Sequence, residues 1–237
     1  MPHTGNKAPI VGTTLRVTFA AMRIAILIFE KLTVLDVVGP YEVLRSVPGW
    51  EVTFVGPQAG PVRADSDALS LVADASIEEL TDPDIVLVGG GEGNRPLLTD
   101  ERLLGWLRTA DATSTWTTSV CTGSLVLGAA GLLKGKRATS HWLYVDQLAE
   151  FGAEPVRERV VEDGKTITAA GVAAGIDMAL HLVSREVSPE VAQAVQLGIE
   201  YDPQPPFESG SPAKASKEIV ELVTAVSGDT DWSPSRG

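Results

Sequence analysis

The single cysteine of the chain lies in a segment whose pattern could make it chemically reactive. Thr115 to Val120 form a predicted strand, and Val120-Cys121-Thr122-Gly123-Ser124 then turns directly into a predicted helix. A tight strand-to-helix turn exposes the nucleophile of many hydrolases, and the dipole and free amides of a helix N-terminus favour a thiolate. A free cysteine is also often a buried structural residue. The turn favours a nucleophilic Cys121 over a structural one.

A carboxylate is placed where it could serve as the acid/base partner of this thiol. Asp36 stands in the first turn of a predicted helix, soon after the apolar segment Arg23 to Phe29, and its spacing from Thr33 resembles a capping box. A carboxylate in a first helical turn also stabilises the helix without any other role. Because the carboxyl ends of parallel strands meet at one edge of a sheet, Asp36 could face Cys121 and transfer a proton.

A run of glycines follows the apolar strand segment Ile85 to Val88. Gly89, Gly90 and Gly91 are compatible with a simple turn, but glycine backbone can also approach a substrate closely and direct N–H groups at developing negative charge. The spacing matches neither a P-loop nor a dinucleotide fingerprint, so we expect no organic cofactor. One cysteine and no zinc-binding spacing predict no metal site.

The three histidines differ in their surroundings. His3 lies in the polar N-terminal segment and His181 in an apolar helical pattern, where neither is expected to act. His141 opens a predicted helix after Ala138-Thr139-Ser140 and is the possible helper of the cysteine.

Strand and helix patterns alternate along the chain, which predicts a doubly wound, mainly parallel sheet sandwiched by helices. The predicted strands are residues 23–29, 51–55, 69–72, 85–88 and 115–120, with a hairpin of 156–161 and 166–168 that turns at Glu162-Asp163-Gly164-Lys165. Two predicted helices begin after Thr33 and after Thr99, and Thr99 is the expected cap of the second. Four more are predicted at residues 124–133, 140–152, 173–186 and 189–200. Gly152 is expected to end the helix 140–152, and Ser188 to cap the helix 189–200.

Composition limits the possible partners. The chain has 19 Lys and Arg against 31 Asp and Glu, a net charge of -12, which disfavours binding to nucleic acid. The apolar stretches are too short for a membrane span, and one cysteine forms no internal disulfide, so we expect a cytoplasmic protein. We predict a disordered leader at residues 1–21, one domain at 22–226 and a flexible tail at 227–237.

Several longer motifs resemble one known family. Ser119 to Ser124 with its continuation from Leu127 to Trp142 is similar to the DJ-1/PfpI superfamily, and in particular to its isonitrile (isocyanide) hydratases. The segments 35–40, 171–177 and 196–207 carry the same resemblance, which extends from Met22 to about Phe207.

The resemblance implies a flavodoxin-like fold of the class I glutamine amidotransferase type, a homodimer and a small-molecule substrate. It also implies that Cys121 is a nucleophile facing Asp36, and that Thr122 lines the same pocket together with Gly90 and Gly91. Proteases of the superfamily carry a histidine directly after the cysteine. Thr122 occupies that position here, which favours the hydratase branch.

Three alternatives remain open from the sequence. One is glyoxalase- or deglycase-like chemistry, which would use the same thiol with His141 as its helper. Another is a redox sensor that uses Cys121 without turnover. The third is the sensor domain of an AraC-type regulator, for which roughly 30 residues after Phe207 are too few to add a pair of helix-turn-helix units.

Overall fold

A parallel sheet forms the centre of the molecule. The computed structural model describes residues 19–228 and residue 232. Among these residues the main sheet has seven strands in the spatial order β10-β11-β7-β6-β1-β2-β5. The strands of the described part are β1 (Met22–Leu27), β2 (Trp50–Gly56), β3 (Gly60–Arg63), β4 (Ser70–Ala73), β5 (Ala75–Ser76), β6 (Ile85–Val88), β7 (Trp116–Val120), β8 (Arg137–Ala138), β9 (Glu154–Pro155), β10 (Val160–Asp163) and β11 (Thr166–Ala169).

The strand pairing matches the predicted sheet type. All neighbours in the main sheet are parallel except β10, which pairs with β11 as an antiparallel hairpin. All four residues of β6 are buried, as expected for a strand covered on both faces. The predicted strand 69–72 belongs instead to a separate ribbon, in which β3 and β4 pair antiparallel.

Helices flank the sheet in two groups. They are α1 (Leu35–Leu44), α2 (Asn94–Leu97), α3 (Glu101–Thr113), α4 (Gly123–Ala129), α5 (Ala174–Glu186), α6 (Pro189–Gly198) and α7 (Lys217–Val226), with a 3-10 helix at Val145–Phe151. α1 packs against α5 and α5 against α6, while α4 contacts α2, α3 and the 3-10 helix. The prediction of a doubly wound sheet sandwiched by helices is confirmed.

Several predicted helix ends are wrong for local reasons. The Thr33 hydroxyl donates to Asp65 at 2.8 Å, and α1 begins after Val34 with no side-chain cap, so there is no capping box. Asp100, not Thr99, caps α3, because its carboxylate accepts from the amides of Arg102 and Leu103. The predicted helix 124–133 stops at Ala129. The helix expected at 140–152 is confined to the 3-10 helix, although Gly152 terminates it in the left-handed conformation as predicted.

The C-terminal region contains a helix that the sequence patterns did not predict. Ser188 caps α6 through its hydroxyl, as expected, and the chain then continues without regular structure to α7. None of the residues of α7 is buried, and Leu222 and Val226 are largely exposed. The predicted leader and flexible tail lie mostly outside the described residues, so these boundaries stay predictions.

No helix within residues 19–228 is both long enough and apolar enough to cross a membrane.

Candidate active site

The sheet order brings three chain segments together at one edge. β7, β6 and β1 are neighbours, so Cys121, the glycine run and Asp36 all follow the carboxyl ends of adjacent strands. The Gly90 amide donates to Oδ2 of Asp36 at 2.7 Å. A Cβ atom added to Gly90 would lie 2.7 Å from that oxygen and from both N and Oγ1 of Thr122. Only glycine permits this close approach, so Gly90 holds the acid beside the cysteine turn.

The cysteine lies on a strained turn that several hydrogen bonds hold in place. Cys121 has a φ of 58°, in the left-handed region that non-glycine residues rarely adopt. Its amide donates to the carbonyl oxygens of Ala169 and Ala170. Its own carbonyl oxygen accepts from the hydroxyls of Ser124 at 3.1 Å and Ser140 at 2.9 Å. These bonds stabilise the left-handed conformation of Cys121.

Gly123, two residues after the cysteine, lets α4 begin immediately after this turn. A Cβ atom there would overlap the carbonyl oxygen of Val88, at the end of β6. The tight packing of α4 against β6 therefore depends on the absence of a side chain at this position.

Asp36 is an acid in an apolar environment. The residue is completely buried, and burial raises the pKa of Asp36 from 3.8 to about 7, although the Gly90 amide and Cys121 stabilise its charged form. Its other oxygen, Oδ1, is buried and has no partner of ordinary hydrogen-bond geometry among the described residues. Asp36 lies in the first turn of α1 but makes no side-chain cap there. It is a carboxyl group that can hold a proton near neutral pH.

The thiol is also kept protonated. Burial raises the pKa of Cys121 well above its ordinary value, and the charge of Asp36 adds to that rise, while the amide and hydroxyl of Thr122 oppose it. The expectation that the helix N-terminus would make Cys121 a thiolate is wrong for the free protein, because burial outweighs the amide contacts. The two groups form a coupled pair that retains one proton above neutral pH.

The glycine amides do not point at an open pocket. Gly90 donates to Asp36, and the Gly91 amide donates to Oγ1 of Thr122 at 3.1 Å. Both N–H groups are thus engaged by protein acceptors, contrary to the expectation that they would bind charge on a substrate. In the structure, the Gly90 amide orients Asp36 and the Gly91 amide orients Thr122.

His141 lies near the cysteine turn without reaching the reactive pair. Its ring packs against Gly171, where an added Cβ would overlap it, and its Nδ1 accepts from the amide of Leu143 at 3.4 Å. Burial lowers the pKa of His141 and no charged neighbour contributes to the shift, so the ring is neutral at pH 7. The geometry gives it no bond to the thiol.

Sequence reasoning missed three supporting residues. Ser124 and Ser140 hold the Cys121 carbonyl, and Asn94 is fully buried beside Thr122. Asn94 follows the glycine run at the strand edge where ligands bind in such sheets, and this position was the available signal. The two serines act through backbone contacts between distant segments, which no local pattern reveals.

Access to the reactive pair is narrow in the single chain. Cys121 is 7% exposed, Thr122 2% and Asp36 not at all. A cavity of about 660 Å³ lies nearby, on the side of Glu92 and Gly93, but neither Cys121 nor Asp36 lines it. A substrate must therefore reach the thiol with a slender terminal group.

Comparison with known proteins identifies the family of this chain. The model of the DJ-1/PfpI family matches residues 22–185, and the chain belongs to that family. Isonitrile hydratase of Pseudomonas putida is 47% identical over 201 residues, which cover 85% of this chain and 88% of that protein. A THiJ/PfpI family protein from Pseudomonas syringae has the same fold, with a TM-score of 0.91, 37% identity and 95% of each chain covered.

A transcriptional regulator is a more distant relative. The HTH-type regulator CdhR of Pseudomonas aeruginosa is 36% identical over 148 residues, which are 62% of this chain and 43% of that protein. The similarity thus covers less than half of the regulator. The similarity to the regulator therefore covers a smaller share of both aligned proteins than the similarity to the hydratase does.

Proposed function

We propose that this protein is an isonitrile hydratase-like lyase that converts an isonitrile and water into an N-substituted formamide. The observation that carries the proposal is the buried pair of Asp36 and Cys121, which holds a transferable proton next to a sulfur nucleophile. The 47% identity to the Pseudomonas putida enzyme supports the same reaction.

The chemistry needs one proton and one nucleophile, and the pair supplies both. Asp36 takes the proton of the Cys121 thiol and delivers it to the isonitrile carbon, while the sulfur of Cys121 forms a bond to the same carbon. The product of this step is a thioimidate, with a C–H bond, a C–S bond and a C=N double bond. Water then adds to that carbon, the C–S bond breaks, and the thiol regains its proton as the formamide leaves.

A protonated resting thiol fits this substrate. The terminal carbon of an isonitrile carries a lone pair and accepts a proton, so the proton that burial retains on the pair is consumed in the reaction. The group is also linear and slender, which suits a thiol only 7% exposed.

The two other thiol-based hypotheses have less support. A redox-sensing cysteine needs a low pKa and access to peroxide, whereas burial raises the pKa of Cys121. Glyoxalase-like chemistry was expected to use His141, whose hydrogen bond goes to the Leu143 amide instead.

Turnover of an isonitrile tests the proposal directly. The protein is incubated with an aryl isonitrile and formation of the formamide is followed by absorbance, beside Cys121→Ala and Cys121→Ser. We expect turnover in the wild-type protein and none above background in either variant. Equal rates in the wild-type protein and Cys121→Ala would contradict the proposed hydratase activity. Rapid oxidation of Cys121 by mild peroxide, with no turnover of the isonitrile, would favour the redox-sensor hypothesis.

We also propose that the protein acts as a homodimer on a small molecule in the cytoplasm, with no nucleic acid or membrane partner. The apolar side chains of Leu197, Phe207, Leu222 and Val226 are largely exposed in the single chain, and a second copy would cover such a surface. The net charge of -12 disfavours nucleic acid, and the single cysteine is compatible with a reducing compartment.

A further inference from the structure

Asn94 is a buried polar residue to which the proposed reaction assigns no role. It begins α2, directly after the glycine loop, and its side chain is fully buried. Its Nδ2 atom donates to the carbonyl oxygen of Gly89 at 3.2 Å and to Oγ1 of Thr122 at 3.1 Å. Its Oδ1 atom has no partner among the described residues. Burying an unpaired amide oxygen is unfavourable, so the gain must come from the two donated bonds.

The orientation of this amide follows from its neighbours. The carbonyl oxygen of Gly89 can only accept a hydrogen bond, so the NH₂ group, not the oxygen, must face it. With Nδ2 fixed there, the same group also donates to Thr122.

The Thr122 hydroxyl therefore receives two hydrogen bonds. One comes from Nδ2 of Asn94 and the other from the Gly91 amide, and both groups can only donate. A hydroxyl has two acceptor positions and one hydrogen, so both acceptor positions are filled and the hydrogen must be donated. Thr122 directly follows Cys121, and its hydroxyl acts to lower the pKa of the Cys121 thiol, as expected if the hydroxyl hydrogen faces the sulfur.

We propose that Asn94 is a positioning residue: together with the Gly91 amide it fills both acceptor positions of the Thr122 hydroxyl and so directs the hydroxyl hydrogen at the Cys121 sulfur. This donated bond stabilises negative charge on the sulfur, both when the proton leaves for the substrate and when the thiol is regenerated. Without Asn94 the hydroxyl is free to rotate and to donate elsewhere. The role rests on the proposed function, because it takes Cys121 as the nucleophile.

A double-mutant cycle on thiol ionisation tests the role without requiring turnover. Because the chain has one cysteine, the rate of alkylation by iodoacetamide against pH reports the pKa of Cys121 alone. Thr122→Val should raise that pKa and slow alkylation below the pKa about tenfold. Asn94→Ala should raise it in the same direction, and the double variant should match Thr122→Val alone.

Asp36 is the charged group that acts on the Cys121 sulfur, and Asp65 acts in turn on Asp36. None of these variants replaces Asp36 or Asp65. Ser119→Ala is the matched control, because Ser119 is also a buried polar residue with an unpartnered side-chain oxygen. It should leave the pKa unchanged. Thermal melting shows whether each variant is folded.

A second variant keeps the test decisive if Asn94→Ala does not fold. Asn94→Asp has nearly the same volume but offers an acceptor to Thr122, so the hydroxyl should turn away from the sulfur. The pKa of Cys121 should then rise more in the wild-type background than in the Thr122→Val background, where only the added charge acts. An unchanged pKa in Asn94→Ala, or equal shifts in both backgrounds, would overturn the role of Asn94. Failure of isonitrile turnover would overturn the proposed function and leave the result of this cycle intact.

Discussion

The proton shared by Asp36 and Cys121 governs the chemistry of the site at the level of single residues. Burial raises the pKa of Asp36 to about 7 and that of Cys121 well above its ordinary value. Below pH 7 both groups are protonated, and between pH 7 and the titration of the thiol the pair holds one proton. The proposed step uses that state, in which one group supplies the proton and the sulfur is the nucleophile.

The pH dependence of turnover should follow this titration. We expect kcat/KM for an isonitrile to rise as pH increases through about 7, because the second proton leaves the pair there, and then to stay level beyond pH 9. Initial rates at saturating and low substrate between pH 5 and pH 10 give the profile. A rate that falls as pH rises through 7 would mean that the doubly protonated pair is the reactive form.

Replacing Asp36 should separate catalysis from stability. Asp36→Asn keeps an oxygen for the Gly90 amide but cannot deliver a proton, so turnover should fall at least about a hundredfold. The carboxylate charge raises the pKa of Cys121, so its removal should make alkylation of the thiol faster. Steady-state kinetics beside iodoacetamide alkylation checks both results. Near-normal turnover in the folded variant would remove Asp36 from the mechanism.

The same substitution should stabilise the fold at alkaline pH. Between pH 4 and pH 7 the folded chain keeps a proton on Asp36 that the unfolded chain releases, so this group's contribution to stability falls as pH rises. A pKa that rises from 3.8 to about 7 corresponds to a cost of up to about 4 kcal/mol once the carboxyl is ionised. Melting temperatures at pH 5 and pH 8.5 should show a larger advantage of Asp36→Asn at the higher pH. A constant difference would contradict the raised pKa.

The elements around the site must approach one another closely for the cysteine turn to form. Gly123 lies at the start of α4 against the end of β6, and the Cys121 carbonyl is held by hydroxyls from two separate segments. The turn is therefore stabilised by tertiary contacts, while the helix itself has no side-chain cap.

A methyl group at Gly123 should disrupt this arrangement. Gly123→Ala places Cβ against the Val88 carbonyl oxygen, so we expect a loss of stability of about 3 kcal/mol and a large loss of turnover. Gly105→Ala is the matched control, since its Cβ in the middle of α3 would only make an ordinary contact with Arg108. It should stabilise the protein by about 0.5 kcal/mol. Chemical denaturation measures both, and equal stability of the two variants would contradict the packing argument.

At the scale of the whole molecule, one region of the described chain buries little apolar surface. α7 has no buried residue, and Leu222 and Val226 expose large apolar surfaces. A short helix is rarely stable in water without burying one face. The exposed C-terminal region therefore supports the proposed assembly of two copies.

Light scattering at micromolar concentration should give twice the chain mass of 25.0 kDa. Leu222→Lys should weaken the dimer, because it places a charge in the apolar face of α7. Thr224→Lys adds the same charge on the other side of the helix and should leave the dimer intact. A wild-type mass near 25.0 kDa would contradict the assembly.

The sequence by itself determined the fold class, because buried apolar strands and intervening helices leave few other arrangements, and it located Cys121, Asp36 and Gly90 by their places after β7, β1 and β6. It could not determine the protonation of the pair. Local pattern predicts a thiolate at a helix start, but burial depends on every segment that covers the site and reverses that expectation. The parts played by Asn94, Ser124 and Ser140 were decided by the tertiary structure for the same reason, since each acts through hydrogen bonds that only folding brings into range.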